Sequence, residues 1–64
     1  MNKFRQARKR LGLTQVQMGR VVRRDRKSVI NYESGHNIPD GAWALVQHAL
    51  IAGGHSLEFE GDVT

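Results

Sequence analysis

Thr14-Gln15-Val16-Gln17-Met18-Gly19-Arg20-Val21-Val22-Arg23-Arg24-Asp25-Arg26-Lys27-Ser28-Val29-Ile30-Asn31-Tyr32-Glu33-Ser34-Gly35, with Pro39 just beyond, is the stretch that decides the fold. It carries two short helix signals joined by a tight, basic turn. The Thr14 hydroxyl is suited to capping the first of them, and Gln17 three residues on completes a capping box, with Leu13 and Met18 at the staple positions around it. Met18, Val21 and Val22 give this helix its buried face, and it is expected to end near Val22 or Arg23. Gly19 costs roughly 1 kcal/mol inside a helix, so the close approach of another helix backbone is expected there. Asp25 is a good cap for the second helix, which runs to about Tyr32 or Glu33 and is closed by Gly35. On a 3.6-residue wheel Val29 and Tyr32 point one way with Ser28, while Arg26, Lys27, Ile30, Asn31 and Ser34 point the other. An apolar face anchors this helix while a polar, basic face is offered outwards, which is the layout for placing a helix in the major groove of DNA.

Outward from this stretch the organisation is simple. Phe4, Ala7, Arg8 and Leu11 have the spacing of one helix face, so a first helix covers about residues 2–11 and stops at Gly12, a left-handed C-terminal position. Residues 34–41 form a loop by composition. A fourth helix spans about 40–52, with Ala42, Trp43, Val46, Ala49 and Leu50 as a broad buried face, Ile51 projecting opposite it, and Gly53-Gly54 ending it. Leu57-Glu58-Phe59-Glu60-Gly61-Asp62-Val63 alternates apolar and acidic residues with period two, a half-buried strand signal. The expected organisation is thus a domain over 1–53 and a short acidic tail over 54–64.

The chain has 64 residues and no cysteine. It is one domain at most, it buries only roughly 60% of its unfolded surface, and neither a disulfide nor a structural zinc site can brace it. Oligomerisation is the remaining common way to gain stability. No apolar run approaches the ~20 residues of a membrane span and no signal-peptide pattern opens the chain, so a cytoplasmic protein without a membrane partner is expected. The charge distribution says more than its net +4. All ten basic residues lie at or before Lys27, opposed there only by Asp25, so residues 1–27 carry +9. Residues 28–64 carry five acids and no Lys or Arg, or −5. Such polarity in a small domain, joined to a helix, turn and helix layout, favours nucleic acid over an ordinary solvated surface.

Within the basic stretch, Arg26 and Lys27 match the two acceptors of guanine, and Asn31 can pair bidentately with adenine. Ile30, expected to be exposed between them, is placed to touch a thymine methyl. Arg23 and Arg24 sit in the turn and are assigned to phosphates, with Thr14 and the amides behind it, Gln15, Ser28 and Asn37 as further phosphate contacts. Arg5, Lys9 and Arg10 are read as diffuse electrostatics or solvated charge. His36, His48 and His55 lack metal spacing and companion ligands and are expected in solvent; no metal and no cofactor is expected. Trp43 is expected in the core. No nucleophile and base stand in a plausible arrangement, so the chain is not expected to be an enzyme.

With the helix order read, the chain resembles the Cro and phage-repressor helix-turn-helix family, the XRE-like group. The resemblance covers about residues 4–50 and rests on Arg8, Leu11, Leu13-Thr14-Gln15, Met18-Gly19, Val22, Ser28-Val29, Tyr32-Glu33, Gly35 and Pro39, in family order without gaps. It implies an all-α, lambda-repressor-like helix-turn-helix bundle of four to five short helices, here with a short C-terminal β-strand tail. It also implies a phage or bacterial DNA-binding repressor that acts as a homodimer on a palindromic operator, in many members its own. Gln15 matches the family's backbone-contacting glutamine, and Arg26, Lys27 and Asn31 match its base-reading positions. Arg8 and Glu33 match a buried arginine–glutamate pair tying helix one to the end of helix three. Two positions depart from the pattern: the turn usually carries a glycine and then a small apolar residue, where this chain has Arg23 and Arg24. Arg23 is then expected to pay for a left-handed conformation, and Arg24 to leave the usual buried position.

The tail is expected to supply the dimer interface. Leu57, Phe59 and Val63 share one face of the expected strand, which lacks a partner in its own chain and is suited to pairing with the same strand of a second copy, covering Ile51. The alternative is an antitoxin-type DNA-binding protein, whose helix-four opening Ile38–Val46 resembles and whose acidic tail docks a toxin partner. A non-specific nucleic-acid packager fits poorly with the acidic second half.

Overall fold

The first three helices each begin on a side chain that accepts a hydrogen bond from its own first turn. In the computed structural model, which describes residues 2–59, Asn2 Oδ1 accepts from the Arg5 amide at 2.9 Å and opens α1 (Lys3–Leu11). Thr14 opens α2 (Gln15–Val22) with a complete capping box: its Oγ1 accepts from the Gln17 amide at 3.2 Å and Gln17 Oε1 accepts from the Thr14 amide at 2.9 Å. Asp25 opens α3 (Arg26–Glu33) by accepting from the Ser28 amide at 2.9 Å. These caps satisfy amides that a helix start leaves without partners. The fourth helix, α4 (Asp40–Ala52), has no side-chain cap; Pro39 precedes it and Asp40 places a negative charge in its first turn.

The four helices pack around Phe4 and Ala7 of α1, Met18 and Val22 of α2, Val29 and Tyr32 of α3, and Ala42, Val46 and Leu50 of α4, all of them buried. The Phe4 ring meets Tyr32 edge to face at 5.2 Å, a geometry that aromatic quadrupoles favour. Leu11, Leu13, Val21, Ile38, Trp43 and Phe59 are half-buried around this core. Trp43 therefore sits on the rim rather than in the core as expected, with the Lys3 ammonium 4.4 Å from its ring centroid. The rim suits it, because the core is already filled by smaller side chains from all four helices. Gly19 is buried, but the close approach it permits is not to another helix. A Cβ there would lie 2.7 Å from the carbonyl oxygen of Arg24, in the turn between α2 and α3. That turn is folded back onto α2 by the Arg24 amide, which donates to the Gly19 carbonyl at 2.8 Å.

Two ties hold α1 to the end of α3. Asn2 Nδ2 donates to the Tyr32 carbonyl at 2.6 Å. Arg8 Nε donates to Glu33 Oε2 at 2.7 Å and Arg8 Nη1 to the Leu13 carbonyl at 3.0 Å, with the two charged side chains only 16% and 8% exposed. No strand occurs among the described residues, which corrects the expectation over Leu57–Phe59; the rest of the expected strand, including Val63, lies outside them. The physical reason is that the backbone groups a ladder would use are taken. Arg10 Nη1 donates to the carbonyls of Ser56 and Glu58 at 2.7 and 2.8 Å, and the Glu58 amide donates to Ser56 Oγ at 3.0 Å. Leu57 is 41% exposed while Phe59 is half-buried against Trp43, so the two do not share a face. Among the described residues no helix is long and apolar enough to cross a membrane.

Removing one member of a largely buried pair strands the other charge. Glu33→Ala should cost about 3 kcal/mol and lower the melting temperature by on the order of 10–20 °C for a domain this small. Arg8→Met with Glu33→Leu should cost less than Glu33→Ala alone. Thermal unfolding followed by circular dichroism checks both; a near-neutral Glu33→Ala would mean that the pair does not hold α1 in place.

Candidate nucleic-acid interface

The turn joining α2 to α3 is short because α2 ends on a residue in the left-handed region. Arg23 adopts φ 58° and ψ 43°, the one non-glycine residue at positive φ among the described residues. A side chain there costs roughly 1–2 kcal/mol against the right-handed form. The conformation directs the Arg23 amide to the Gly19 and Arg20 carbonyls, closing α2, and brings Asp25 two residues later into position to cap α3. The Arg23 and Arg24 side chains are both exposed. Arg24 Nη1 donates to the Arg23 carbonyl at 3.3 Å, so Arg24 lies along the outside of the turn.

Around this turn Arg20, Arg23, Arg24, Arg26 and Lys27 are all exposed. Among the described residues Arg8–Glu33 is the ion pair, and none of these five cations has a carboxylate partner. Asp25, the one acid between them, is committed to the α3 amide of Ser28. That amide and the Ser28 hydroxyl stabilise the carboxylate and hold its pKa below the ordinary value of 3.8, with a smaller contribution from the Lys27 charge. The turn is thus a concentration of positive charge from which the only nearby carboxylate points into backbone.

The outer face of α3 carries Arg26 and Lys27 exposed in its first turn, followed by Ile30 and Asn31, which are half-buried. Ile30 is less exposed than expected. Ser28 is half-buried beside the Asp25 cap, and Thr14 at the start of α2 is exposed with its hydroxyl engaged in the capping box. Gln15 is half-buried, and Asn37 is exposed in the loop after α3. Arg20, Arg23, Arg24, Arg26 and Lys27 thus form one exposed basic segment running from the end of α2 through the turn into α3.

Arg10 is a residue whose role the sequence reading missed. It is neither solvated nor diffuse: its guanidinium lies 4.7 Å from the Phe59 ring centroid and donates to two tail carbonyls. Its partners are 46 and 48 residues away and are mostly backbone, so no spacing in the sequence signals them. Of the histidines, His36 and His48 are exposed and His55 is half-buried; His36 Nδ1 lies 3.1 Å from the Asn31 carbonyl. Ile51 is 62% exposed, whereas Phe59, expected with it at an intermolecular interface, packs within its own chain. Comparison with protein-family models, curated proteins and solved structures found no match to this chain.

Two substitutions test the turn. Arg23→Gly removes the left-handed penalty at some cost in unfolded-chain entropy, so it should raise stability by about 0.5–1 kcal/mol in denaturant unfolding. A loss of stability would mean that the Arg23 side chain makes a stabilising contact of its own. Asp25→Asn should keep the neutral-pH cap, since both side chains accept from the third amide. The lowered Asp25 pKa means that its carboxylate stabilises the fold above the unfolded value near 3.8 and that this contribution disappears as pH falls through the folded value. The wild-type and Asp25→Asn stability curves should therefore converge below about pH 4, and parallel curves would rule out the cap as the source of that acid dependence.

Proposed function

We propose that this protein is a sequence-specific DNA-binding transcriptional regulator, a repressor of helix-turn-helix type that reads the major groove with α3. The observation that carries the reading is the basic segment around Arg23, where five exposed cations, none with a carboxylate partner among the described residues, border a helix that offers Lys27, Ile30 and Asn31. A turn built with a strained, exposed arginine where glycine would be more stable is explained by what the guanidinium does outside the fold. In this reading Arg23 and Arg24 hold phosphates on either side of the groove, with Thr14, Gln15, Ser28 and Asn37 as further backbone contacts. Arg26 and Lys27 take guanine acceptors, Asn31 takes adenine, and the half-buried Ile30 packs on a thymine methyl. Arg8–Glu33 lies behind this face and fixes the far end of α3, so it sets the angle of the helix without touching DNA.

Two copies reading half-sites about one turn (~34 Å) apart would bind a palindrome, and occupancy of a promoter would exclude polymerase. Selection of bound sequences from a random DNA pool tests the reading directly: a palindromic consensus is the expected result, and an unenriched pool would reject sequence-specific binding. Lys27→Ala or Asn31→Ala should cost ~1–3 kcal/mol on the selected site and little on random DNA. Arg23→Ala should weaken binding to both and reduce the salt dependence by about one ion. If Lys27→Ala and Asn31→Ala both leave the ratio of specific to random binding unchanged, α3 is not the reader.

A further inference from the structure

The end of α3 away from the basic turn differs in its charge. The five exposed cations lie between Arg20 and Lys27, and no Lys or Arg follows Lys27. The loop after α3 borders a cleft of about 390 Å³, whose wall includes Asn2 and Lys3 at the start of α1, Tyr32 of α3, and His36 and Asn37 of the loop. Lys3 is the fixed cation on that wall, its ammonium held 4.4 Å from the Trp43 ring centroid. His36 is the side chain there whose charge is conditional, because histidine changes protonation between about pH 5 and 8. Tyr32 is the other titratable group on the wall. The acids nearest in the chain do not line the cleft: Glu33 is paired with Arg8, and Asp40 is exposed in the first turn of α4.

The His36 ring is already oriented. Its Nδ1 lies 3.1 Å from the Asn31 carbonyl, and its own amide donates to the same oxygen at 3.1 Å. A carbonyl oxygen only accepts, so Nδ1 carries the hydrogen, and in the neutral ring Nε2 is left as an acceptor. Phosphate oxygens along DNA also accept, so the neutral ring makes no hydrogen bond to them through Nε2. One proton taken from solvent onto Nε2 turns that atom into a charged donor and leaves the Nδ1 contact as it was. His36 is exposed in the loop, as is Asn37 beside it.

We infer that His36 is a proton-dependent phosphate contact: a DNA backbone phosphate beside Asn37 accepts from Nε2–H of the His36 imidazolium, so that DNA binding takes up one proton per copy. The inference deepens the proposed function and rests on it, because that reading sets Asn37, the next residue, against the backbone. The contact differs in kind from those of Arg23 and Arg24, whose guanidiniums stay charged at every pH a protein meets. Acidification therefore tightens the grip at the far end of α3 without changing the base edges that α3 reads.

The test measures affinity for a duplex against salt at about pH 5.5 and about pH 8, on either side of histidine titration. The selected site is used, or a random duplex if selection enriches none, since both carry the phosphates. In the wild type the slope of log affinity against log salt should be steeper at the lower pH by about one ion per copy. Affinity should rise by up to about tenfold per pH unit per copy, the limit for one proton taken up. His36→Asn keeps a donor for the Asn31 carbonyl and has nothing at the Nε2 position, so it should lose the extra ion; His48→Asn should retain it. His36→Lys should show the steeper slope at both pH values. The titration midpoint of the His36 ring, followed by NMR, should move up when duplex is added. A wild-type slope that is the same at both pH values, or a His36→Asn variant that keeps the difference, overturns the inference and leaves α3 as the reader, which the ratio of specific to random binding judges separately. A midpoint that rises with inorganic phosphate but not with duplex also overturns it and assigns His36 to a free anion. Absence of duplex binding at both pH values overturns this inference and the proposed function together.

Discussion

Arg8 is the point on which the arrangement of the helices depends. Its guanidinium reaches Glu33 at the end of α3 and the Leu13 carbonyl in the connection between α1 and α2, so one side chain joins three segments, with Asn2 on the Tyr32 carbonyl as a second polar tie between α1 and α3. Apolar contacts among Phe4, Met18, Val29 and Leu50 are non-directional and tolerate sliding. A nearly buried, two-pronged ion pair is directional, and its members cannot part without leaving a charge away from water. The core supplies the driving force for collapse, and Arg8 selects the one angle at which α3 can close on α1. The outer face of α3 inherits its orientation from that selection.

The Thr14 and Asp25 caps, the helix limits and most of the core were legible in the sequence because they rest on local chemistry, whereas the Asn2 cap of α1 was missed. Asp25 and Ser28, or Thr14 and Gln17, are three residues apart, and their hydrogen bonds form whatever the rest of the chain does. The left-handed Arg23 was expected only through the resemblance, which places a glycine at that position of the turn. What was not legible involved distance. Arg10 finds its partners 46 and 48 residues on, at carbonyls that any residue would supply, and this pulls Leu57–Phe59 out of the strand that their alternation suggests. Trp43 has the spacing of a core residue but the size of one that suits a rim, and periodicity reports direction rather than depth. Gly19 was correctly read as a close approach, yet the approaching backbone belongs to the adjacent turn, which the helical pattern did not represent.

Apart from Arg5 and Lys9, which are exposed on α1, the cations divide into two populations with different work. Lys3, Arg8 and Arg10 are spent inside the molecule, on a ring, a carboxylate and backbone carbonyls. Arg20, Arg23, Arg24, Arg26 and Lys27 have no ion pair with an acid among the described residues and cluster within eight residues. The formal charge of the first 27 residues therefore overstates what is offered to a polyanion, while its local density around the turn is greater than an even distribution would suggest. The strain at Arg23 is located where that density peaks.

The ties made by α1 also constrain how the chain can be completed as it is synthesised. Asn2 must wait for Tyr32, Arg8 for Glu33, and Arg10 for Ser56 and Glu58. The caps of α1, α2 and α3 can form as soon as each helix emerges, whereas the contacts that secure α1 to the rest of the fold are among the last to be made. Loss of the segment after α4 would free the Arg10 end of α1, while Asn2 on Tyr32 and Arg8 on Glu33 would keep the rest of that helix in place.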